Sequence, residues 1–239
     1  MTKREGQGAR KLSFGLVAFA AFAAVCAVGF GALGVWQVER LAWKNSLVAA
    51  VEARSTAAPL DLDLADWSAI DPEASEYQHV SVRGRFEGDD TLSQAVTVHG
   101  GGFWVMTPLV LDDGRAVLIN RGFVTAAQRD AGIPRQDGVV DVVGLLRASE
   151  PDGGFLRSND PDAGRWYSRD VAEIGVASGV DNLAPFFVDA EAGGETYPIG
   201  GLTVLTFSNN HLVYALTWFG LTLLSLFALY WLLRDRLRR

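Results

Sequence analysis

The stretch Leu12–Trp36, LSFGLVAFAAFAAVCAVGFGALGVW, runs for 25 residues without a charge. A second, Leu212–Leu233, LVYALTWFGLTLLSLFALYWLL, does so for 22. As helices these are roughly 33–38 Å long, enough to cross a hydrocarbon core of about 30 Å. Both read as transmembrane spans. The competing reading of the first is a cleaved secretory signal, but its apolar run exceeds the usual h-region of about 7–15 residues. A lipoprotein signal ending at Cys26 fails too, because AAVC has no Leu three positions before the cysteine. The first span is therefore expected to be an uncleaved anchor.

The flanks set an orientation. Lys3, Arg4, Arg10 and Lys11 stand against Glu5 before the first span, and Arg234, Arg236, Arg238 and Arg239 against Asp235 after the second. Basic flanks stay on the cytoplasmic side. Taking the tails' 8 basic and 2 acidic residues from totals of 21 and 28 leaves 13 against 26, so the intervening chain carries −13. The expected organisation is a cytoplasmic basic tail (1–11), transmembrane helix 1 (12–36), a periplasmic β-rich domain (37–210), transmembrane helix 2 (211–233) and a second cytoplasmic tail (234–239). That places the chain in a bacterial inner membrane, with the lipid bilayer as its first partner. The acidic middle argues against a nucleic-acid partner, which needs a basic footprint. The lone Cys26 excludes a disulfide framework and any CxxC site.

Between the spans the pattern changes twice. VERLAWKNSLVAAVEARS (Val38–Ser55) lacks Gly and Pro and repeats Leu41, Val48 and Val51 at helical spacing, so the first helix is expected to continue until Pro59 ends it. LDLDLADWS reads as a short acidic helix or turn. From Tyr77 the chain turns β: YQHVSVRGRFEG alternates, with His79, Ser81 and Arg83 opposite Val80, Val82 and Gly84. TLSQAVTVHG, GFWVMTPLVL, RAVLINRGFV, VVDVVGLLRA, APFFVDA and GGLTVLTFS supply further strands, with LDDGR as a hairpin turn and SRDVAEIGVASG as a helix closed by Gly179. The fold class is a membrane protein, α+β: two transmembrane helices flank one mainly antiparallel β extramembrane domain, a sheet or open barrel, with a few helices.

Enzymatic chemistry is poorly supported. The chain has no GxSxG, and its cysteine lies mid-span. His79 and His99 would approach each other if their strands pair, but two histidines without a third ligand are weak support for a metal. HGGGF (His99–Phe103) opens no helix, as a phosphate cradle requires.

The second span carries more. His211, Tyr214, Ala215, Trp218, Thr222 and Ser225 fall at helical steps on one stripe, with Leu212, Leu216, Phe219, Leu223 and Leu226 on the other side. Lipid offers hydrogen-bonding groups no partners, so such a stripe faces protein or ligand. The plainer reading makes Asn209 or Asn210 a helix cap and Tyr214 and Trp218 an interfacial aromatic belt. In the first span Ala20, Ala24, Ala27, Gly31 and Gly34 form a small-residue seam at the same depth, suited to a tight helix contact or to a slot for a flat ligand. A neutral imidazole is a good iron ligand and the depth suits a lipophilic haem, with Arg40 and Lys44 near its propionates.

Six stretches in order then resemble one family. They are LGVWQVERLAWKNSLV, VRGRF, VLINRGFV, NDPDAGRWYSRD, PIGGLT and NNHLVYALTWFGL. Together they resemble the surfeit locus protein 1 family of cytochrome c oxidase assembly factors. The resemblance implies a non-enzymatic role at the inner membrane, placing haem a into oxidase subunit I, with a haem a synthase as a further partner. It implies haem binding with His211 as axial ligand, inside a matching NxHLxYxxTWxGL frame. One histidine supplies one ligand, so the iron is five-coordinate or borrows a second from another protein. The resemblance implies a structural turn at Asn120–Gly122, with Arg121 bonding acidic groups, and a helix start at Trp166, Arg169 and Asp170. The alternative is a structural chaperone that stabilises unfinished subunit I without haem. A membrane-anchored hydrolase would need a nucleophile–base motif that the sequence lacks.

Overall fold

A computed structural model describes residues 14–154, 156–193, 197–205 and 207–237. The N-terminal basic tail, the first two residues of the first span and the last two arginines lie outside these. Helix α1 (Phe14–Ser55) runs 42 residues without a break, as the uninterrupted helical spacing predicts. Helix α4 (His211–Leu237) runs 27. Both are long and apolar enough to cross a membrane, and their outward faces are large apolar side chains such as Phe22, Val28, Leu216 and Leu223. The chain divides into two units: α1 up to Val48 together with the chain from Phe207, and Ala49–Thr206.

The second unit is one mixed sheet. Its strands are β1 (Leu60–Asp61), β2 (His79–Phe86), β3 (Thr91–Thr97), β4 (Gly100–Val110), β5 (Ala116–Val124), β6 (Val139–Ala148) and β7 (Leu183–Ala190). The order is β1-β2-β6-β7-β5-β4-β3, and the end of β2 also pairs with β4, through Arg85 with Val110 and Phe86 with Leu109. Strands β2, β6, β7, β5 and β4 thus close into a ring. Most pairs are antiparallel, as the alternation suggested, but β1–β2 and β5–β7 are parallel.

Two apolar clusters hold the sheet. Val80, Val82, Leu109, Val117, Ile119, Leu146, Phe186 and Val188 pack on one face. Leu118 and Phe187 turn to the other, where they meet Met106, Trp166, Val171 and Ile174. Strands β5 and β7 are buried on both faces, which explains their unbroken apolar runs, VLI and FFV, where other strands alternate. Phe123, Phe186 and Phe187 are fully buried, each stabilising by roughly 1.5–3 kcal/mol.

Helix α2 (Ala126–Ala131) opens with a capping box between Thr125 and Gln128. Helix α3 (Val171–Ser178) opens at Asp170 and ends at Gly179, where the sequence places its end. The LDDGR hairpin turn forms as expected, with Leu111 and Arg115 bonded across it.

Two local expectations change. The LDLDLADWS segment becomes the two-residue strand β1, a turn and a 3-10 turn at Trp67–Ala69. Arg115 gathers it by donating to the carbonyls of Leu62, Asp63 and Ala65 and by stacking over Trp67 at 4.4 Å. The GGLTVLTFS segment forms no strand among the described residues. Its backbone is held by single contacts instead: Gly201 N donates to Ala190 O at 2.9 Å, and Thr203 donates to Asp189 at 2.9 Å.

Candidate functional site

In the helical unit, small residues let α1 and α4 meet. Ala23, Ala27, Gly34 and Gln37 on α1 and Ala215 on α4 are buried. A Cβ added at Gly34 would sit 2.6 Å from the Phe219 ring, so glycine is required for this approach. The seam is therefore a tight helix contact at Gly34, not a slot. Phe30 stacks on Trp218 with centroids 5.6 Å apart. Thr222 and Ser225 donate to carbonyls of their own helix, at Trp218 and Leu221, which satisfies those hydroxyls in an apolar surround.

Polar contacts between the two segments gather at one end. Lys44 donates to the Ser208 carbonyl. Asn209 Nδ2 donates to Asn45 Oδ1 at 2.8 Å, while Asn209 Oδ1 is buried without a hydrogen-bond partner among the described residues. Tyr214 N donates to Asn210 O at 3.2 Å, the first bond of α4. His211 Nδ1 lies 2.7 Å from Gln37 Oε1. An amide oxygen can only accept, so the bond requires the proton on Nδ1, which in the neutral tautomer leaves the lone pair on Nε2. This is the state in which a histidine binds a metal, its second nitrogen held by a neighbouring acceptor. Of the groups an imidazole nitrogen can ligate, haem iron is one.

The expected site residues separate here. His211 and Trp218 lie on the seam. Tyr214 does not: at 54% exposure it belongs to the outer face of α4. Arg40 is exposed and lies over the Trp43 ring at 3.8 Å. Lys44 is committed to Ser208. Gln37 was not singled out by the sequence, although it continues the seam's step of three from Gly31 and Gly34.

The sheet unit carries a second polar cluster. Asp189 is buried and accepts four bonds: Asn120 at 2.7 Å and Arg169 at 2.9 Å on Oδ1, and Arg147 at 2.8 Å and Thr203 at 2.9 Å on Oδ2. Glu150 takes both guanidiniums as well, and Glu76 takes Arg147 at 3.1 Å. Burial opposes the charge on Arg147, but Asp189 and Glu150 outweigh it and hold its pKa above the ordinary value. Burial pushes the Tyr77 phenol up, against the pull of Arg147. Tyr77, Asn120, Arg147, Arg169 and Asp189 line a cavity of about 250 Å³ with Trp104 and residues 200–204. Every nitrogen of both guanidiniums bonds a carboxylate, and the cluster ties β5, β6 and β7 together. Arg147, Asp189 and Thr203 carried no sequence signal that set them apart.

The other expected positions are structural. Asn120, Arg121 and Gly122 lie within β5, not in a turn. Gly122 has φ +126°, and a Cβ there would meet the Ile199 carbonyl at 2.4 Å, which lets Phe123 and Ile199 exchange two backbone bonds. Arg121 pairs with Asp90 at 3.2 Å, and burial lowers its pKa against that pull. Trp166 is buried, and Asp170 caps α3 by accepting from Ala172 N and Glu173 N. Strands β2 and β3 do not pair, so His79 and His99 are not brought together in register. His79 Nδ1 donates to Ala57 O at 2.6 Å, and its Nε2 faces Glu191 at 3.1 Å. His99 stacks on Phe123. Among the described residues no three His, Cys, Asp or Glu side chains group to hold a metal.

Two membrane-length helices meeting at an imidazole–amide pair, with a small closed sheet between them in sequence, define a two-span protein with one β-rich domain. The SURF1 family matches residues 24–223. The chain is similar to Surfeit locus protein 1 of Rattus norvegicus, 35% identical over 217 residues, covering 82% of this chain and 69% of the relative. The human Surfeit locus protein 1 is 33% identical over 216 residues, covering 80% and 69%. A SURF1-like protein of Monosiga brevicollis is 34% identical over 229 residues, covering 86% and 84%. The chain belongs to the SURF1 family.

Proposed function

We propose that this chain is a non-enzymatic assembly factor for cytochrome c oxidase that holds or guides haem a for insertion into subunit I. The observation that carries the reading is the His211–Gln37 bond, which engages Nδ1 and leaves Nε2 as the ring nitrogen available to a ligand at a helix seam. Bound there, haem a is the redox-active iron porphyrin that an oxidase subunit must acquire. His211 would hold its iron through Nε2. The stacked Phe30–Trp218 pair continues the seam about two turns away, and exposed Arg40 remains available to a carboxylate. Tyr214, on the outer face, and Lys44, already bonded to Ser208, are the less committed members of the site. The basic tails and the −13 middle support a bacterial inner membrane, with both termini cytoplasmic and the β domain periplasmic. A haem a synthase is then the donor and oxidase subunit I the acceptor.

A second reading, a scaffold that stabilises unfinished subunit I without haem, is favoured by the Gly34–Phe219 packing, which makes the seam the tight helix contact rather than the slot for a flat ligand. The test is a visible spectrum of the detergent-purified protein co-produced with a haem a synthase, with pyridine haemochrome identification. Stoichiometric haem a in the wild type that is lost in folded His211→Ala supports the carrier. A colourless wild type, from cells that demonstrably make haem a, supports the scaffold. Equal haem in both proteins moves the ligand elsewhere.

A further inference from the structure

The His211–Gln37 pair has a direction. Histidine in water favours the Nε2–H form only slightly, so a lone imidazole at a helix end would present either nitrogen. Gln37 is buried on α1 and offers Oε1 at 2.7 Å from Nδ1. The Asn45–Asn209 and Lys44–Ser208 bonds anchor the same end of the two segments, two turns along α1. Gly34, one turn the other way, sets the close approach through Phe219. The amide is therefore fixed on both sides, and it can hold the imidazole in one protonation pattern.

We infer that Gln37 is a positioning residue: it holds His211 in the Nδ1–H tautomer and so fixes Nε2 as the nitrogen offered to iron. This rests on His211 being the haem ligand. The amide touches no iron. It acts through the ring, in the manner of the outer partners that orient metal-bound histidines and raise their basicity. Two substitutions separate its acceptor from its bulk. Gln37→Glu keeps an acceptor on a side chain of the same length, whereas Gln37→Met keeps the unbranched volume and removes it.

The test is ¹⁵N NMR of the haem-free, full-length protein in detergent, with labelled histidine and His211→Ala to assign the resonance. Protonated and bare ring nitrogens resonate far apart, so the tautomer is read without any haem. The expected result is Nδ1–H in the wild type and in Gln37→Glu, with a shift to Nε2–H or a mixture in Gln37→Met. The inference is overturned if the wild type is Nε2–H, or if Gln37→Met leaves the pattern unchanged. Haem content of the same proteins keeps the two claims apart. Haem lost in His211→Ala but a tautomer indifferent to residue 37 sinks the positioning role alone. A tautomer governed by residue 37, with haem retained in His211→Ala, sinks His211 as the haem ligand instead.

Discussion

Asp189 and Arg169, 20 residues apart in sequence, meet at 2.9 Å in the interior of the sheet unit, each almost fully shielded from water. Asp189 stands on β7 and accepts from β5 through Asn120 and from β6 through Arg147, so one carboxylate ties three neighbouring strands. Replacing it by asparagine keeps the shape and leaves two guanidiniums short of a counter-charge. Removing one partner of a buried pair costs roughly 3–5 kcal/mol. Asp189→Asn is expected to lower the unfolding free energy by that amount, read as a lower urea midpoint with an unchanged m-value. A loss under about 1 kcal/mol would assign the lock to Glu150 instead.

Gly122 makes a backbone prediction. With φ +126° and the Ile199 carbonyl 2.4 Å from where a Cβ would stand, Gly122→Ala is strained twice over. The conformational part alone is worth about 1–3 kcal/mol. Unfolding should shift accordingly, and the amides of Phe123 and Ile199, which bond each other's carbonyls, should lose hydrogen-exchange protection first.

The helix seam predicts a change of sign. Alanine ordinarily stabilises a helix over glycine by about 1 kcal/mol. At Gly34 the Phe219 ring stands in the way at 2.6 Å, so Gly34→Ala is expected to lower the melting temperature of the detergent-purified protein. On a Phe219→Ala background the same change should raise it. Equal effects in both backgrounds would mean the two residues do not touch.

Asp160 carries the pH prediction. Hydrogen bonds from the Arg165 guanidinium and from Ala163 N hold its carboxyl below the ordinary value. Its folded pKa therefore lies below the unfolded one, so its contribution to the turn is complete above about pH 4 and fades as the pH falls through the folded value. The protection of the Ala163 amide, taken against its intrinsic exchange rate at each pH, should hold at pH 5 and fall on further acidification. In Asp160→Asn that acid dependence should vanish.

Much of this fold was legible because its segments announce themselves locally. Uncharged length marked α1 and α4, alternation marked β2, and Asp170 with Gly179 bracketed α3. What could not be read depends on residues far apart in sequence. Nothing in VLINRGFV says that it lies parallel to APFFVDA, or that β2 returns to β4. GGLTVLTFS looks like a strand by composition, but its glycines let the backbone cross β7 at Ala190 instead. In the site, His211 stood out because titratable side chains are rare in apolar helices. Gln37 escaped notice because its meaning lies in a partner 174 positions away. Tyr214 followed the stripe by spacing, yet one step of three carries it out of the seam and onto the exposed face.

The sheet order has a consequence for how the protein is made. Strand β7 is the last strand of the sheet to leave the ribosome, yet it sits in the middle, between β6 and β5. Until Ala190 has emerged, β5 and β6 have no neighbour on that side, and the carboxylate that unites them does not yet exist. Helix α4 begins only 21 residues later, at His211. Synthesis therefore delivers the closing strand and the second span almost together. A nascent chain remains an open, unlocked sheet nearly until the moment its histidine is ready for the membrane.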